Sequence, residues 1–253
     1  MIMNNQASKI FHTWAQLPLS KDEFLEKQSA LQAEHFPTTS PLPGAQDLIR
    51  NLSSTSSPSN PVHFALATSS HSVNYTRKTS HLESQLFSLF PPSRIVLGDD
   101  PRIGSGRGKP LPDIYLLALE TINAEIRKQS NGSEKEVTPE ECLVFEDSVP
   151  GVEAGRRAGM RVIWCPHKEL LKEYRGREEE VLAGLTGEYK DVDEATTAAG
   201  VADGAAAPPP PPSEPWRAVG SGKPGKLGDG WAEILPSLED FPYEKYGIKI
   251  PVN

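Results

Sequence analysis

Short apolar runs alternate with amphipathic segments through the middle of the chain. The runs in "HFALATSS", "SRIVLGDD", "CLVFED" and "MRVIWC" have the length of buried strands, and "EILPSLEDF" adds a short one near the end. Between them, "LPDIYLLALETINAEI" places apolar side chains on one side of a helix, and "PGVEAGRRAG" predicts a further helix. Strands that alternate with helices form a parallel sheet covered on both faces. The pattern therefore predicts a three-layer α/β fold.

The front of the chain, through about Phe36, is predicted to be helical and to form a separate subdomain. Its apolar residues recur at helical spacing: Ile10, Phe11, Trp14 and Leu17. Ser20 followed by Glu23 is the pattern of a capping box, in which each side chain bonds the backbone of the other residue at a helix start. We therefore expect a helix to begin after Ser20.

One segment departs from the alternating pattern. The stretch from Glu194 to Trp216 is rich in Ala, Gly and Pro, and its run Pro208–Pro212 favours an extended polyproline conformation. A segment of this composition cannot bury a core. We therefore predict that residues 184–229 form a disordered insertion. It is expected to act as a spacer, and binding of a proline-recognising partner is the alternative.

Composition narrows the class of protein. The formal net charge of −8 over 253 residues disfavours nucleic acid and anionic membrane surfaces as partners. The two cysteines, Cys142 and Cys165, lie inside apolar runs and are predicted to be core residues in a reducing compartment. No apolar run is long enough to cross a bilayer, and the start "MIMNNQASKIFHTW" is too polar for a signal peptide. We expect a cytoplasmic protein.

Residues that could carry chemistry stand where the predicted strands end. Thr68 and Ser69 end one strand, and Glu146 and Asp147 end another. Lys109 lies in the loop before the long predicted helix. Open parallel sheets bind their ligands at the carboxyl ends of the strands. We therefore expect these residues to converge on one rim.

The adjacent carboxylates of Glu146 and Asp147 indicate a cation site. Consecutive strand residues face opposite sides of a sheet, so two neighbours reach one ligand only where the strand ends. Two unpaired carboxylates held close together repel and raise each other's proton affinity. A hard divalent cation removes that cost, and Mg²⁺ binds few carboxylates together with water and phosphate. The pair predicts a Mg²⁺ site, and an exposed acidic turn is the alternative.

The other rim residues suit a phosphate group. Thr68 and Ser69 offer hydroxyl and backbone N–H donors, and Lys109 offers a cation on a loop constrained by its neighbours Gly108 and Pro110. Each has an ordinary alternative, because Thr-Ser-Ser often caps a helix and a single lysine is usually solvated at the surface. Their common position at the rim favours phosphate binding.

The order of these groups along the chain, Thr/Ser, then Lys, then the acidic pair, resembles that of the haloacid dehalogenase-like phosphatases. The resemblance is carried by "FPTTSPLPGAQDLI", "HFALATSS", "IVLGDDP", "GKPLPDIYLLAL" and "CLVFEDSVPGVEAGRRAGM". It runs from Leu17 to Pro166, and "AEILPSLEDF" matches the tail beyond the predicted insertion. The chain is most similar to members with a helical cap that act on sugar phosphates.

This resemblance implies a domain organisation. The core would be a Rossmann-like, three-layer parallel sheet at residues 41–183, with a last core strand and the tail at residues 230–253. Residues 1–40 would be a partial helical cap.

The resemblance also implies roles for matching residues. Thr68 and Ser69 would bind the phosphoryl group, Lys109 would steady the nucleophile and the phosphate, and Glu146 and Asp147 would hold Mg²⁺. Thr68 and Lys109 would thus belong to the catalytic set. The implied substrate is a small phosphorylated metabolite, a sugar or nucleoside monophosphate such as pseudouridine 5′-phosphate. A monomer is expected, with neither nucleic acid nor membrane as a partner.

One motif of the family is missing. Its members have a first strand ending in Asp-x-Asp-Gly, in which the first Asp attacks phosphorus and the second acts as general acid and base. No such stretch precedes Thr68, and the only aspartates there are Asp22 and Asp47. We expect the first strand, the first cap helices and the hinge to lie upstream of Met1. Because this strand is central in the family sheet, between the strands that end at Thr68 and Asp147, its absence would leave two strand edges unpaired.

Three interpretations of the chain follow. It is part of a Mg²⁺-dependent phosphomonoesterase whose sequence starts late, a non-catalytic phosphate- or partner-binding relative, or a fragment without a stable fold. The first is favoured because the other motifs are intact. Phosphoryl transfer needs a placed nucleophile, so the metal and the lysine alone would give little turnover.

Overall fold

The structure is a computed structural model that describes residues 11, 14–55, 62–130, 134–187, 215–216 and 222–250. The predicted polyproline run Pro208–Pro212 and most of the predicted insertion lie outside the described residues. The same holds for residues 1–10 of the predicted cap. The predicted domain boundaries therefore stay predictions.

The described elements alternate as the sequence predicts. The helices are α1 (Lys21–His35), α2 (Ala45–Ser53), α3 (Ser72–Thr79), α4 (Asp113–Ser130), α5 (Val149–Arg157), α6 (Lys168–Glu173) and α7 (Glu178–Ala183). The strands are β1 (Leu66–Ala67), β2 (Ile95–Val96), β3 (Leu143–Glu146), β4 (Arg161–Trp164) and β5 (Ala232–Ile234). Short 3-10 helices lie at Phe36–Thr38, Ser80–Leu82, Phe87–Leu89, Pro92–Arg94, Pro139–Glu141 and Tyr243–Tyr246. The predicted α/β fold is confirmed, although β1 and β2 are shorter than their apolar runs.

The strands are all parallel, but they form two sheets where the sequence pattern predicts one. In the first sheet β1 pairs with β2, and Leu66 lies opposite Ile95. The second sheet has the strand order β3-β4-β5, and Val144 of β3 lies opposite Val162 of β4. Among the described residues, no pairing joins β1 to β3. The division lies where the family resemblance places the missing first strand, so the neighbouring strands do not close the gap by pairing with each other.

The second sheet is buried on both faces, which gives the layered architecture. Val162 and Trp164 of β4 belong to one apolar cluster, and Ile163 between them belongs to another on the opposite face. All three are fully buried, in keeping with the alternation of side chains along a strand. The first cluster includes α4 and α5, and the second includes α2 and the C-terminal segment around Phe241. Burial of each large apolar side chain contributes roughly 1.5–3 kcal/mol.

The long helix α4 positions the loop that carries Lys109. Ile114 and Leu117 are each 1% exposed, and α4 packs against both strands of the first sheet and against α5. Because Tyr115 near the start of α4 also donates a hydrogen bond to Glu146 at the end of β3, α4 connects the first sheet to the second. The loop before α4 is thereby fixed between the two strand ends.

Helix α1 has the predicted capping box. The Ser20 hydroxyl accepts a hydrogen bond from the Glu23 N–H at 3.2 Å, and the Glu23 carboxylate accepts one from the Ser20 N–H at 2.7 Å. None of its residues is buried. The turn Phe36–Thr38 after α1 packs against α3 and joins this helical region to the core. Among the described helices, none combines the length and apolar character that a bilayer crossing needs.

Candidate functional site

The turn after β1 is held tightly at the carboxyl end of the first sheet. The Thr68 N–H donates to the Val96 carbonyl at 3.0 Å, and the Thr68 hydroxyl accepts from the Ser70 N–H at 3.1 Å. The Gly98 N–H donates to the Ser70 carbonyl at 3.0 Å. A methyl group on Gly98 would overlap the Ser69 carbonyl, so only glycine allows this approach. Ser69 is exposed at the tip of the turn.

The loop before α4 buries the cation that the sequence predicts at the rim. The Lys109 side chain is 9% exposed, and its ammonium group lies 3.5 Å from the Ala67 carbonyl and forms an ion pair with Glu146. Behind it, Arg107 donates two hydrogen bonds to the fully buried Asp113, at 2.6 and 2.8 Å. This fork-shaped pair fixes the loop at both ends of the lysine. Lys109 therefore connects the end of β1 to the end of β3.

Both oxygens of the Glu146 carboxylate have donors from the protein. Oε1 accepts from the Lys109 ammonium and the Tyr115 hydroxyl. Oε2 accepts from the N–H groups of Asp147 and Ser148, each at 3.1 Å, and from the Ser148 hydroxyl at 2.9 Å. Burial would raise the pKa of Glu146, but the nearby Lys109 charge and these hydrogen bonds outweigh it and lower the pKa. The Glu146 side chain is therefore a buried anion.

The start of α5 contributes to this environment. Ser148 caps the helix by accepting from the Gly151 N–H at 3.2 Å, and a helix N-terminus stabilises an adjacent negative charge. A methyl group on Gly151 would overlap the Glu146 carboxylate. The "EDSVPG" sequence thus places a small residue where the glutamate side chain folds back over the helix.

Tyr115 is the most deeply embedded partner of this carboxylate. It is 6% exposed, and burial together with the negative charge of Glu146 raises the pKa of its hydroxyl well above the usual range. The hydroxyl therefore stays protonated and acts as a donor. The Lys109 ammonium lies 4.8 Å from the centre of the Tyr115 ring, within range of a cation–π contact.

Asp147 differs from its neighbour in having free carboxylate oxygens. As a whole the residue is exposed, and no described side chain bonds to its carboxylate. Its pKa is raised, because protein atoms replace part of the water around the carboxylate and because Glu146 lies beside it. An exposed carboxylate that repels a second, buried one gains from a divalent cation.

The described residues fit Mg²⁺ through Asp147 and do so less well through Glu146. Mg²⁺ takes one or two carboxylates and fills its other positions with water or substrate phosphate. The carboxylate oxygens of Asp147 are available to coordinate a cation. Those of Glu146 already accept hydrogen bonds from Lys109, Tyr115 and Ser148. Within the described part of the chain, no group of three or more His, Cys, Asp or Glu side chains is arranged around a common point. A cation here would depend on Asp147 and on oxygens from a phosphate.

The predicted rim residues lie at neighbouring strand ends. Lys109 contacts the residue before Thr68 on one side and Glu146 on the other, and its charge acts on Asp147.

The acidic residues after β2 form hydrogen bonds and an ion pair with other parts of the chain. Asp99 accepts from the N–H and hydroxyl of Ser72 at the start of α3, and Asp100 pairs with Arg102.

Sequence reasoning missed the supporting residues Arg107, Asp113, Tyr115, Ser148 and Gly151. Two local signals were available. A serine two residues before a proline at a helix start indicates a cap at Ser148. An arginine and an aspartate on either side of Lys109 indicate an ion pair across the loop. Nothing local indicates that Tyr115 reaches Glu146, because their contact depends on the packing of α4 against β3.

A family model and several relatives match this chain. The family model described as haloacid dehalogenase-like hydrolase matches residues 13–159. A Schizosaccharomyces pombe protein described as uncharacterized is 42% identical over 160 residues, which cover 63% of this chain and 60% of that protein. The protein described as a probable pseudouridine-5′-phosphatase in Saccharomyces cerevisiae is 42% identical over 168 residues, 66% of this chain and 64% of that protein.

A third relative has a different substrate in its name. The (DL)-glycerol-3-phosphatase 1 of Arabidopsis thaliana, described as mitochondrial, is 35% identical over 167 residues, 66% of this chain and 49% of that protein. The chain spans less than two thirds of the length of each of these three relatives.

Proposed function

The chain belongs to the haloacid dehalogenase-like hydrolase family, and we propose that its described residues form the phosphate- and cation-binding part of a Mg²⁺-dependent phosphomonoesterase. The observation that supports this most directly is the position of Lys109, which contacts the end of β1 and the end of β3. Thr68 directly follows Ala67 and Asp147 directly follows Glu146, which supports placing the Thr68 turn and the Asp147 carboxylate on either side of this ammonium group. A phosphoryl group between them would meet donors on one side and a metal-binding carboxylate on the other.

Each rim residue has a role in this proposal. The Thr68 hydroxyl and the backbone of Ser69 bind phosphoryl oxygens, because both lie at the open end of β1. Lys109 supplies positive charge from a buried, fixed position, which costs no reorganisation when the substrate arrives. Asp147 would hold Mg²⁺, and Glu146 holds Lys109 in place. When bound, Mg²⁺ neutralises charge on the phosphoryl oxygens.

A non-catalytic phosphate- or partner-binding role is the second candidate. It is favoured by one observation. Lys109 and Glu146 satisfy each other without a ligand. In this role the rim would bind a phosphorylated compound and release it unchanged.

The proposed substrates are small phosphate monoesters. Names of relatives support a nucleoside monophosphate such as pseudouridine 5′-phosphate, or glycerol 3-phosphate. We propose that the protein acts as a monomer in the cytoplasm. The free thiols of Cys142 and Cys165 support a reducing compartment.

The proposal is tested with residues 1–253, Mg²⁺ and a panel of sugar, polyol and nucleoside monophosphates. Release of phosphate is measured for the unaltered chain, for Asp147→Asn and for Asp47→Asn, in which an exposed carboxylate of α2 is neutralised. Mg²⁺-dependent phosphate binding, measured by titration, that is lost in Asp147→Asn and kept in Asp47→Asn supports the proposed site. Turnover with the same dependence would in addition favour the phosphatase over the binding role, and the absence of both binding and turnover contradicts the proposed site.

A further inference from the structure

A cavity of about 250 Å³ lies beside the Thr68 turn. It is lined by β1, by α3 with the turns that follow it, and by residues 39–41, and it is open to the surface. Its walls are mainly apolar, with Leu66, Leu86 and Phe87 among them. The polar lining includes Thr68, Ser70 and Lys78. An apolar pocket with a few convergent polar groups is the usual form of a small-molecule site.

Lys78 is held at this cavity by two neutral partners. Its ammonium group donates to the Ser70 hydroxyl at 3.2 Å and lies 4.6 Å from the centre of the Phe36 ring. The Ser70 N–H in turn donates to the Thr68 hydroxyl at 3.1 Å. Lys78 is therefore connected through one serine to the turn that is proposed to bind phosphate.

Two cations of the core, unlike Lys78, have a carboxylate partner. Lys109 pairs with Glu146, and Arg94 pairs with Glu125. No carboxylate of the described residues pairs with Lys78. A partly buried cation that has only a hydroxyl and a ring as partners gains from an anion placed beside it.

We propose that Lys78 and Ser70 bind the oxygens of the phosphoryl group held by Thr68, and that the cavity receives the organic part of the same ligand. This inference rests on the proposed function and adds a second cation to its phosphate site. The cavity is smaller than the roughly 300–1,000 Å³ of pockets for drug-sized ligands. It therefore favours short polyol or sugar monophosphates over flavin-sized ones.

The role of Lys78 is tested by titrating inorganic phosphate in the presence of Mg²⁺ into the full chain in a calorimeter. Loss of one charge-assisted hydrogen bond weakens binding by roughly 10- to 100-fold, so this is the expected effect of Lys78→Met. Lys78→Arg keeps the charge and should retain most of the affinity. Lys128→Met removes an exposed charge in the last turn of α4 and should change nothing. Unaltered phosphate affinity in Lys78→Met overturns the inference.

A change in folding is separated from a change in binding by a second substitution and by thermal unfolding. Lys78→Gln keeps a polar side chain near Phe36, and its melting temperature should stay close to that of the unaltered chain. Weakened phosphate binding in a folded Lys78→Gln variant supports the inference. If that variant binds phosphate as the unaltered chain does, the inference fails.

Thr68→Ala separates this inference from the proposed function. Weaker phosphate binding in Thr68→Ala together with unaltered binding in Lys78→Met would leave the proposed site standing and remove Lys78 from it. Weaker binding in both variants supports both. If the unaltered chain binds no phosphate, the proposed function and the inference are overturned together.

The cavity itself is tested with ligands of different size. Glycerol 3-phosphate should bind more tightly than inorganic phosphate, and flavin mononucleotide should gain no such advantage. Ser40→Trp places a large ring at the exposed edge of the cavity. It should remove the advantage of glycerol 3-phosphate while leaving phosphate affinity unchanged. Equal affinities for phosphate and glycerol 3-phosphate in the unaltered chain would show that the cavity does not receive the organic part.

Discussion

The Lys109 ammonium and the Glu146 carboxylate form a buried ion pair although the residues are 37 positions apart. Lys109 also contacts the Ala67 carbonyl, so the pair joins the carboxyl ends of the two sheets. Among the described residues no strand pairing makes this connection. The ion pair therefore has a structural role at the same place where phosphate is proposed to bind.

Replacing Lys109 with Met should destabilise the fold strongly. Removal of one partner leaves the Glu146 charge buried and uncompensated, which costs about 3–5 kcal/mol. The expected result is a lowered free energy of unfolding in urea. In Lys109→Met/Glu146→Gln the buried charge is also removed, so the double variant should recover part of the loss. If Lys109→Met had the same free energy of unfolding as the unaltered chain, the ion pair would contribute nothing to stability.

Gly151→Ala should displace the Glu146 side chain. The added methyl group would overlap the carboxylate that lies over the first turn of α5, so the variant should lose stability and bind phosphate less well. Gly108→Ala is the matched control, because a methyl group there meets open space in the same site. Thermal unfolding and phosphate titration of the two variants provide the comparison. Equal behaviour of both variants would contradict the close contact between Glu146 and α5.

Asp147→Asn should stabilise the protein at neutral pH in the absence of divalent cations. The pKa of Asp147 is raised in the folded state by partial loss of water and by Glu146, so the folded chain binds this proton more tightly than the unfolded chain. Stability is therefore lost as the pH rises from the ordinary aspartate value of about 3.9 through the raised pKa. At pH 7 the variant should have a higher melting temperature than the unaltered chain. Below pH 4 the two melting temperatures should converge.

Mg²⁺ should reverse this order of stability. A cation that binds only the folded state raises the melting temperature, by an amount that grows with the logarithm of its concentration relative to its Kd. Asp147 is the carboxylate with free oxygens, so the unaltered chain should gain from Mg²⁺ and Asp147→Asn should gain little. Asp47→Asn, altered on the surface of α2, should respond to Mg²⁺ as the unaltered chain does. An equal response of Asp147→Asn would place the cation elsewhere.

Tyr115→Phe should cost about 1.5–3 kcal/mol, the value of a hydrogen bond to a charged group. The ring stays in the core, while Glu146 loses a donor. Because the Glu146 pKa is lowered in the folded state, this carboxylate contributes stability above the ordinary glutamate value of about 4.3, which is lost as the pH falls through the lowered pKa. The difference in unfolding free energy between the variant and the unaltered chain should accordingly shrink in acid. A constant difference at all pH values would indicate lost packing instead.

The order of elements could be predicted because it depends on local pattern. The apolar runs define the strands, and the spacing of Ile114 and Leu117 defines α4. The Ser20 capping box is a contact between near neighbours, so its residues specify it directly. The division into two sheets is harder to predict, since it depends on which strand edges meet after the helices have packed.

The sequence by itself determined the α/β architecture, the family motifs and the placement of Thr68, Lys109, Glu146 and Asp147 at strand ends. Only the tertiary structure decided how the two carboxylates differ. Glu146 is enclosed by donors from α4, α5 and the Lys109 loop, whereas the exposed residue Asp147 has no described side chain donating to its carboxylate. The physical reason is that Glu146 and Asp147 both carry a carboxylate, but as neighbours along the chain they point into different surroundings. Those surroundings are set by residues distant along the chain.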